Sequence, residues 1–429
     1  MNTFNAKRLL ILGANPETVP LIKSAQAMGV IVIVTDNDPG AFAKPFADKS
    51  FNVDGLDVAG LKKLAEQEHV DGVLVGVADR LITPYQQLCE ELSLPCYASK
   101  KQCEVFTDKQ KFNELCYEYE IPTIPAFPLG ENFDEAELSD LPYPVFIKPV
   151  DGNSGKGMSI CNGKDEISAA VEKALAHSNS RQFLVERYMD CNDIFINFTF
   201  KDGEFWPSAI ADRHTCRTQG NLSRVCLGAT YPSDYVDLYY DTLHDKFVRM
   251  FKSLEVKNGV LMVSAFIENN VLYVYDPGFR LQGEAPNIPV EAVNGFDQRS
   301  MLVEFALSGS MGAADLSHLN DCRFKGMHAA TIWFLGSEGV IGSLVGLDEL
   351  EGDPAVVGIV QRLFVGDEIT SDMVGTEAQV VARVYIVCAT REDLTIKVGA
   401  IQNLVHVYDI NEKPMLLEGF NVPCPGLEN

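Results

Sequence analysis

The chain of 429 residues is long enough for two or three domains at roughly 150 residues each, and 46% apolar with 22% charged content suits a globular enzyme. A formal net charge of −25 repels nucleic acid and anionic lipid, so neither is an expected partner, although a local cationic pocket still admits small anions. Eleven cysteines without a CxxC pair argue against a disulfide framework or a thiolate zinc site. With no apolar run near the roughly 18 residues that span a bilayer, the expected location is the cytoplasm.

The first elements alternate. "RLLILGAN" is a short apolar strand ended by Gly13, "ETVPLIKSAQAMG" has helical spacing, and "VIVIVTDND" is a β-branched strand. "VAGLKKLAEQEHV", "DGVLVGV" and "ITPYQQLCEELSL" repeat the helix, strand, helix order. Uninterrupted apolar strands between helices predict a parallel sheet covered on both faces, so residues 1–97 form a Rossmann-like unit. Its first turn, Gly-Ala-Asn-Pro, lacks the GxGxxG fingerprint of a dinucleotide site, which disfavours a nicotinamide oxidoreductase. Asp36 ends the second strand, and a substrate platform or plain scaffold is the stronger reading of the unit.

"DKQKFNELCYEYE" is a helix, "YPVFIKPV" a strand and "MSIC" another strand, followed by a helix in "NGKDEISAAVEKALAHS". "RQFLVERYM", "DIFINFTFKDGEFWPSAIADRH" and "NGVLMVSAFIENNVLYVYDPGFR" alternate as strands, with hairpin turns at KDG and ENN. "RHTCRTQGN", residues 213–221, reads as a basic polar loop whose Arg213, His214 and Arg217 either face an anionic substrate or lie in solvent. Beyond about residue 310, "EAQVVARVYIVCA", "TREDLTIKVGAIQNL" and "VHVYDINEKPML" give strand, helix and strand, and "VPCPGLEN" a tail.

The chemistry centres on "YPVFIKPVDGNSGKGMSI", residues 143–160. A Walker loop would need Ser or Thr after Gly155-Lys156, but Gly157 and Met158 follow. A dinucleotide loop would open directly into a helix. What remains is strand, glycine loop, strand: a flap whose N–H groups can close over a triphosphate. Lys148, inside the preceding strand, is costly to bury unless it meets a fixed anion. The alternative is a surface hairpin with Lys148 reaching outward.

The order of these segments resembles the ATP-grasp superfamily over most of the chain, nearest to carbamoyl-phosphate-synthetase-like and biotin-carboxylase-like ligases, amino-acid ligases included. The resemblance implies an α/β architecture in three parts: a Rossmann-like pre-ATP-grasp domain (1–107), a two-lobed α+β ATP-grasp domain (108–310, flap lobe about 142–200), and a C-terminal α/β lid-like domain (311–429). It puts Lys109 of "TDKQKF" and Lys148 on the ATP phosphates, under a flap of Gly155, Lys156 and Gly157. It puts Glu186, Arg187 and Tyr188 of "LVERYM" beside adenine and Asp193 at the ribose. By itself Lys109 reads as a solvated helix residue, and Glu186 and Asp193 as strand-end acids.

The resemblance also implies a metal site, and there the sequence departs from it. The family's Glu-x-Asn-Pro-Arg is "YDPGFR" here: Asp276 stands for Glu as metal ligand, Gly278 for Asn, and Arg280 is kept. Ser264 replaces a second ligand. Glu268 or Glu284 could substitute, or Mg²⁺ (Mn²⁺ as the other candidate) could rest on Asp276 and water. Read as a turn acid before proline, Asp276 needs no metal. Arg280 would hold the substrate carboxylate or the acyl phosphate oxygens, and with Lys148 is expected to be catalytic. The implied activity is an ATP-dependent carboxylate–amine ligase acting on small molecules. The alternative is a nucleotide-binding regulatory or carrier protein with a degenerate metal site. The C-terminal part would cover the substrate pocket or build a homodimer. Lys148→Ala is expected to weaken ATP affinity and leave the fold intact.

Overall fold

A computed structural model describes residues 4–150, 157–178, 180–217 and 224–422. The N-terminal strands β1 (Arg8–Leu12), β2 (Ile31–Thr35), β3 (Lys49–Phe51) and β4 (Gly72–Val75) form a parallel sheet in the order β3-β2-β1-β4. Its apolar strands are almost wholly buried, the consequence of helices on both faces. One of those helices comes from far along the chain: Gln298–Ser308 packs on β4. Gly72 is required at the crossing, because a Cβ there would lie 2.4 Å from the Ala306 carbonyl oxygen. Asp36 closes the first turn by accepting from Ala14 N–H at 3.0 Å.

A small lobe follows. Strands β5 (Ala126–Phe127), β6 (Val145–Pro149), β7 (Ser159–Cys161) and β8 (Phe183–Arg187) pair in the order β5-β8-β6-β7. They pack with the helix Ile167–Ala176 around a core of their own that includes Val145, Ile147, Val171 and Val185.

The large sheet is antiparallel and holds eight described strands. β9 (Asn192–Lys201), β10 (Glu204–Arg217) and β11 (Arg224–Tyr231) are joined by β12 (Gly259–Glu268), β13 (Val271–Gly278) and β14 (His328–Leu335). β15 (Gly339–Val345) lies elsewhere, while β16 (Val356–Gln361) returns to this sheet. β17 (Glu368–Ile369) joins β15, β18 (Val380–Cys388) completes the large sheet, and β19 (His406–Asp409) pairs with β15. The large-sheet order is β13-β12-β9-β10-β11-β14-β18-β16. The KDG and ENN turns work as read: Asp202 and Gly203 have φ of 55° and 87°, Asn269 and Asn270 of 52° and 60°, values that suit tight hairpins.

Two findings differ from the sequence reading. Residues 213–217 continue β10 instead of opening a loop. Alternation with buried partners on β9 and β11 overrides the polar composition of the segment. Strands β14, β16 and β18 also lie beyond residue 311, the expected start of a separate domain, yet they extend the sheet begun by β9.

Candidate functional site

The site is assembled where the small lobe, the β12–β13 hairpin and the N-terminal sheet meet. Lys148 on β6 and Glu186 on β8 lie diagonally across the register of the small sheet. Their charges meet at 2.7 Å, with side chains 7% and 3% exposed. The buried lysine thus has its fixed anion, and Glu186 is an internal counter-charge before it is a neighbour of any base. Truncating Lys148 would strand a buried carboxylate, so the expectation that Lys148→Ala leaves the fold intact is replaced by one of substantial destabilisation. Of the flap, Gly157 is described: its φ is +77°, and a Cβ would lie 2.7 Å from His177 Cβ and 2.8 Å from Pro149 Cγ. Gly155 and Lys156 lie outside the described residues.

After β8 the chain crosses to the large sheet. Arg187 N–H donates to Pro125 O at 2.8 Å and Tyr188 N–H to Pro144 O at 3.2 Å, so both are engaged within the lobe. The Arg187 side chain lies over the Tyr273 ring and pairs with Glu268 at 2.9 Å. Asp193, on β9, is buried against Arg213 of β10. Arg213 Nη1 donates to Asp193 Oδ1 (3.2 Å) and Ser264 Oγ (3.0 Å), its Nε donates to Glu284 Oε1 (2.8 Å), and Tyr275 Oη donates to Asp193 Oδ1 (3.1 Å). Burial pushes the Asp193 carboxyl up despite these partners. Burial opposes the Arg213 charge, and Glu284 and Asp193 outweigh it. Asp193 therefore holds Arg213 in place. Beside this cluster is a cavity of about 610 Å³ lined by Asp193, Arg213, His214, Cys216, Arg224 and Phe420 among others.

Lys109 opens the helix Lys109–Glu118, where the Asp108 side chain accepts from Gln110 and Lys111 N–H and fixes the first turn. Its ammonium lies 3.7 Å from Asp276 Oδ1 at the end of β13, with side chains 21% and 43% exposed. Ser264 is the register partner of Asp276, but its hydroxyl is taken by Arg213. Arg280 is buried, and its Nη2 pairs with Asp79 of the N-terminal unit. Burial opposes the Arg280 charge, while Asp79, Asp276 and Glu377 outweigh it. Asp79 also explains Gly278: a Cβ there would lie 3.1 Å from Asp79 Oδ1. Asp79 was missed in the sequence, where "ADR" before a helix carries no signal beyond turn composition.

Glu268 and Glu284, the candidate replacement ligands, are each paired to an arginine. Among the described residues no three His, Cys, Asp or Glu side chains gather to hold a metal. The donor set therefore fits one hard cation carried on Asp276 and shared with phosphate and water oxygens, and supplies no protein cage for two. Among the described residues no helix is long and apolar enough to cross a membrane.

Residues 108–193 match the family described as carbamoyl-phosphate synthase L chain, ATP binding domain. A formate-dependent phosphoribosylglycinamide formyltransferase from Prochlorococcus marinus subsp. pastoris is 30% identical over 201 residues, 46% of this chain and 50% of that protein. The chain thus spans about half the length of the formyltransferases it matches. The carbamoyl phosphate synthase large chain of Clostridium beijerinckii is 23% identical over 66% of this chain and 28% of its own. Two solved structures share the whole fold. An L-amino acid ligase from Bacillus licheniformis has a TM-score of 0.75 at 15% identity, covering 95% of this chain and 100% of that one. A phosphoribosylglycinamide synthetase from Anaerococcus prevotii has a TM-score of 0.73 at 18% identity, covering 94% and 100%.

Proposed function

We propose, from the match of residues 108–193 to a carbamoyl-phosphate synthase ATP binding domain and the fold shared with ligase structures, that this chain is an ATP-dependent ligase joining a small carboxylate to an amine through an acyl phosphate. The observation that carries the reading is the junction of Lys109, Asp276 and Arg280: a partly exposed cation and acid 3.7 Å apart, with a buried arginine in electrostatic reach of the acid. That is an arrangement for a polyanion and a carboxylate side by side.

In this reading Lys109 and Lys148 face the phosphates, with Gly157 at the edge of that site and the segment Glu186–Tyr188 beside the base. Asp276 would hold Mg²⁺, which when bound with ATP neutralises phosphate charge. Arg280 holds the substrate carboxylate in line with the γ-phosphorus. A carboxylate oxygen attacks phosphorus and ADP departs. The amine nitrogen then attacks the acyl carbon, phosphate departs, and the amine proton passes to water or phosphate. The protein contributes positioning and fixed charge in place of acid–base groups. Lys109 and Lys148 are presented on a helix and a strand, rigid elements that hold their charges where needed.

The test is ADP release from Mg²⁺-ATP in the presence of amino acids and other small carboxylates. Asp276→Asn should cut turnover by roughly a hundredfold or more without unfolding a half-exposed site. Substrate-dependent ADP release that survives Asp276→Asn unchanged would refute the assignment. Nucleotide binding with no turnover for any carboxylate would favour a regulatory or carrier role.

A further inference from the structure

The N-terminal sheet runs from β1 through β2 to β3, and the chain then crosses back to add β4 on the other side of β1. Such a reversal opens a crevice beyond the carboxyl ends of the two strands, the place where open α/β sheets bind ligands. Asp79 lies there, just past β4, at the start of the short 3₁₀ turn Asp79–Leu81 that leads into the helix Ile82–Leu92. Its Oδ2 accepts from Nη2 of Arg280, 201 residues away in the chain, and Arg280 is its one side-chain partner among the described residues. The backbone beside them makes room for the pair. A Cβ on Gly278 would lie 3.1 Å from Asp79 Oδ1 and 3.4 Å from Arg280 Cζ. Gly278 is not among the glycines of positive φ, so what it supplies here is space and not an unusual backbone conformation.

Arg280 is buried and only partly used. Nη1 donates to Leu281 O at 3.0 Å, Nη2 donates to Asp79, and the buried Nε has no partner. Two of the five N–H groups of the guanidinium are therefore engaged among the described residues. The Leu281 carbonyl belongs to the next residue and moves with the arginine, so it fixes no direction. Asp79 is the tie to another unit of the fold. We infer that Asp79 is the positioning residue of Arg280, through which the N-terminal unit takes part in the reaction by aiming the arginine that receives the substrate carboxylate. The inference rests on the ligase reading and adds a residue to it. A charge-assisted bond at one terminal nitrogen holds the planar fork, and the N–H groups left over keep a set orientation toward a carboxylate. Burial is the largest influence against the Arg280 charge and Asp79 the largest in its favour. Gly278 stands where the resemblance implies Asn, and the space of that side chain goes to the pair.

The test measures ADP release by the full chain from Mg²⁺-ATP with the amino acids and other small carboxylates, varying each substrate in turn. With the carboxylate that the parent chain uses best, Asp79→Ala should lower kcat/KM for the carboxylate roughly ten- to hundredfold and leave KM for ATP and the Tm unchanged. Asp79→Asn keeps an acceptor oxygen and should restore part of that loss. Gly278→Ala alters neither charge but crowds both, and should give a smaller loss of the same kind. Added to Asp79→Ala it should cost less than it does alone, because the partner it crowds is gone. Parent kinetics in Asp79→Ala would overturn the inference. So would an equal loss toward carboxylate and ATP, or a loss that follows the Tm, either of which marks the pair as merely structural. Absence of ADP release with every carboxylate would sink the ligase reading itself. If Asp79→Ala does not fold, Asp79→Asn and Gly278→Ala decide: both must depress kcat/KM for the carboxylate and spare KM for ATP.

Discussion

Two buried charge assemblies flank the candidate site, and they are built differently. In the small lobe Lys148 and Glu186 neutralise each other one to one, both almost sealed from water. Elsewhere Arg280 pairs with Asp79, while Arg362 and Arg383 share Glu17 and Arg383 also reaches Glu377; Asp79 and Glu377 remain 40% and 59% exposed. A closed pair fixes geometry and, in this state, presents little net charge. An open network presents poles that a ligand can meet without first breaking the fold.

The contrast sets the size of the expected effects. Lys148→Ala should be the most damaging, at about 3–5 kcal/mol, because Glu186 is left charged and buried. Hydrogen exchange should show β6 and β8 opening first. The double change Lys148→Met, Glu186→Gln should recover most of that stability but not nucleotide affinity, and recovery of both would remove Lys148 from the site. Arg383→Leu should cost less, about 3 kcal/mol by chemical denaturation, since Arg362 still faces Glu17. A loss as large as that for Lys148→Ala would mean the network is as closed as the pair.

A third prediction concerns pH, on the far side of Arg213. Asp212 accepts from Ser233 Oγ and Asp234 N–H, yet burial pushes its carboxyl up to about 6 from 3.8. The folded state holds that proton more tightly than the unfolded chain, so this contribution to stability is lost as pH rises from about 4 to 6. Burial, with Arg391 nearby, pushes His214 down to about 4 from 6.5, so its contribution is lost as pH falls through that same range. The two oppose each other. Relative to the parent chain, Asp212→Asn should deepen the loss of stability between pH 6.5 and 4 by about 2 kcal/mol, measured as denaturation midpoints along the pH series. An unchanged pH profile would show that the two groups do not offset. The smallest effect belongs to Glu268→Gln. It breaks a partly exposed pair with Arg187 and should cost about 0.5 kcal/mol, with the Mg²⁺ dependence of ADP release unaltered. A shifted Mg²⁺ requirement would bring Glu268 back as a ligand.

How much was legible follows the range of the interactions. The helix start at Asp108 and the Asp202-Gly203 and Asn269-Asn270 turns are set by neighbours in the chain, and the sequence pattern located them. Asp79 and Glu377 were not found, because an acid in a polar turn looks the same whether it faces water or an arginine from another unit. Arg213 was assigned to a loop because a polar stretch with two arginines resembles solvent-facing chain. On β10 its charge is met instead by Asp193 and Glu284, from β9 and the segment after β13.

Periodicity and turn chemistry were enough to specify the parallel N-terminal sheet and the strands on either side of the glycine loop, since each depends on residues a few positions apart. Only the folded chain decided which charges are neutralised and which stay open. That depends on pairings such as Glu17 with Arg383, 366 residues apart, and electrostatic energy is set by distance and burial, neither of which is written locally in the sequence.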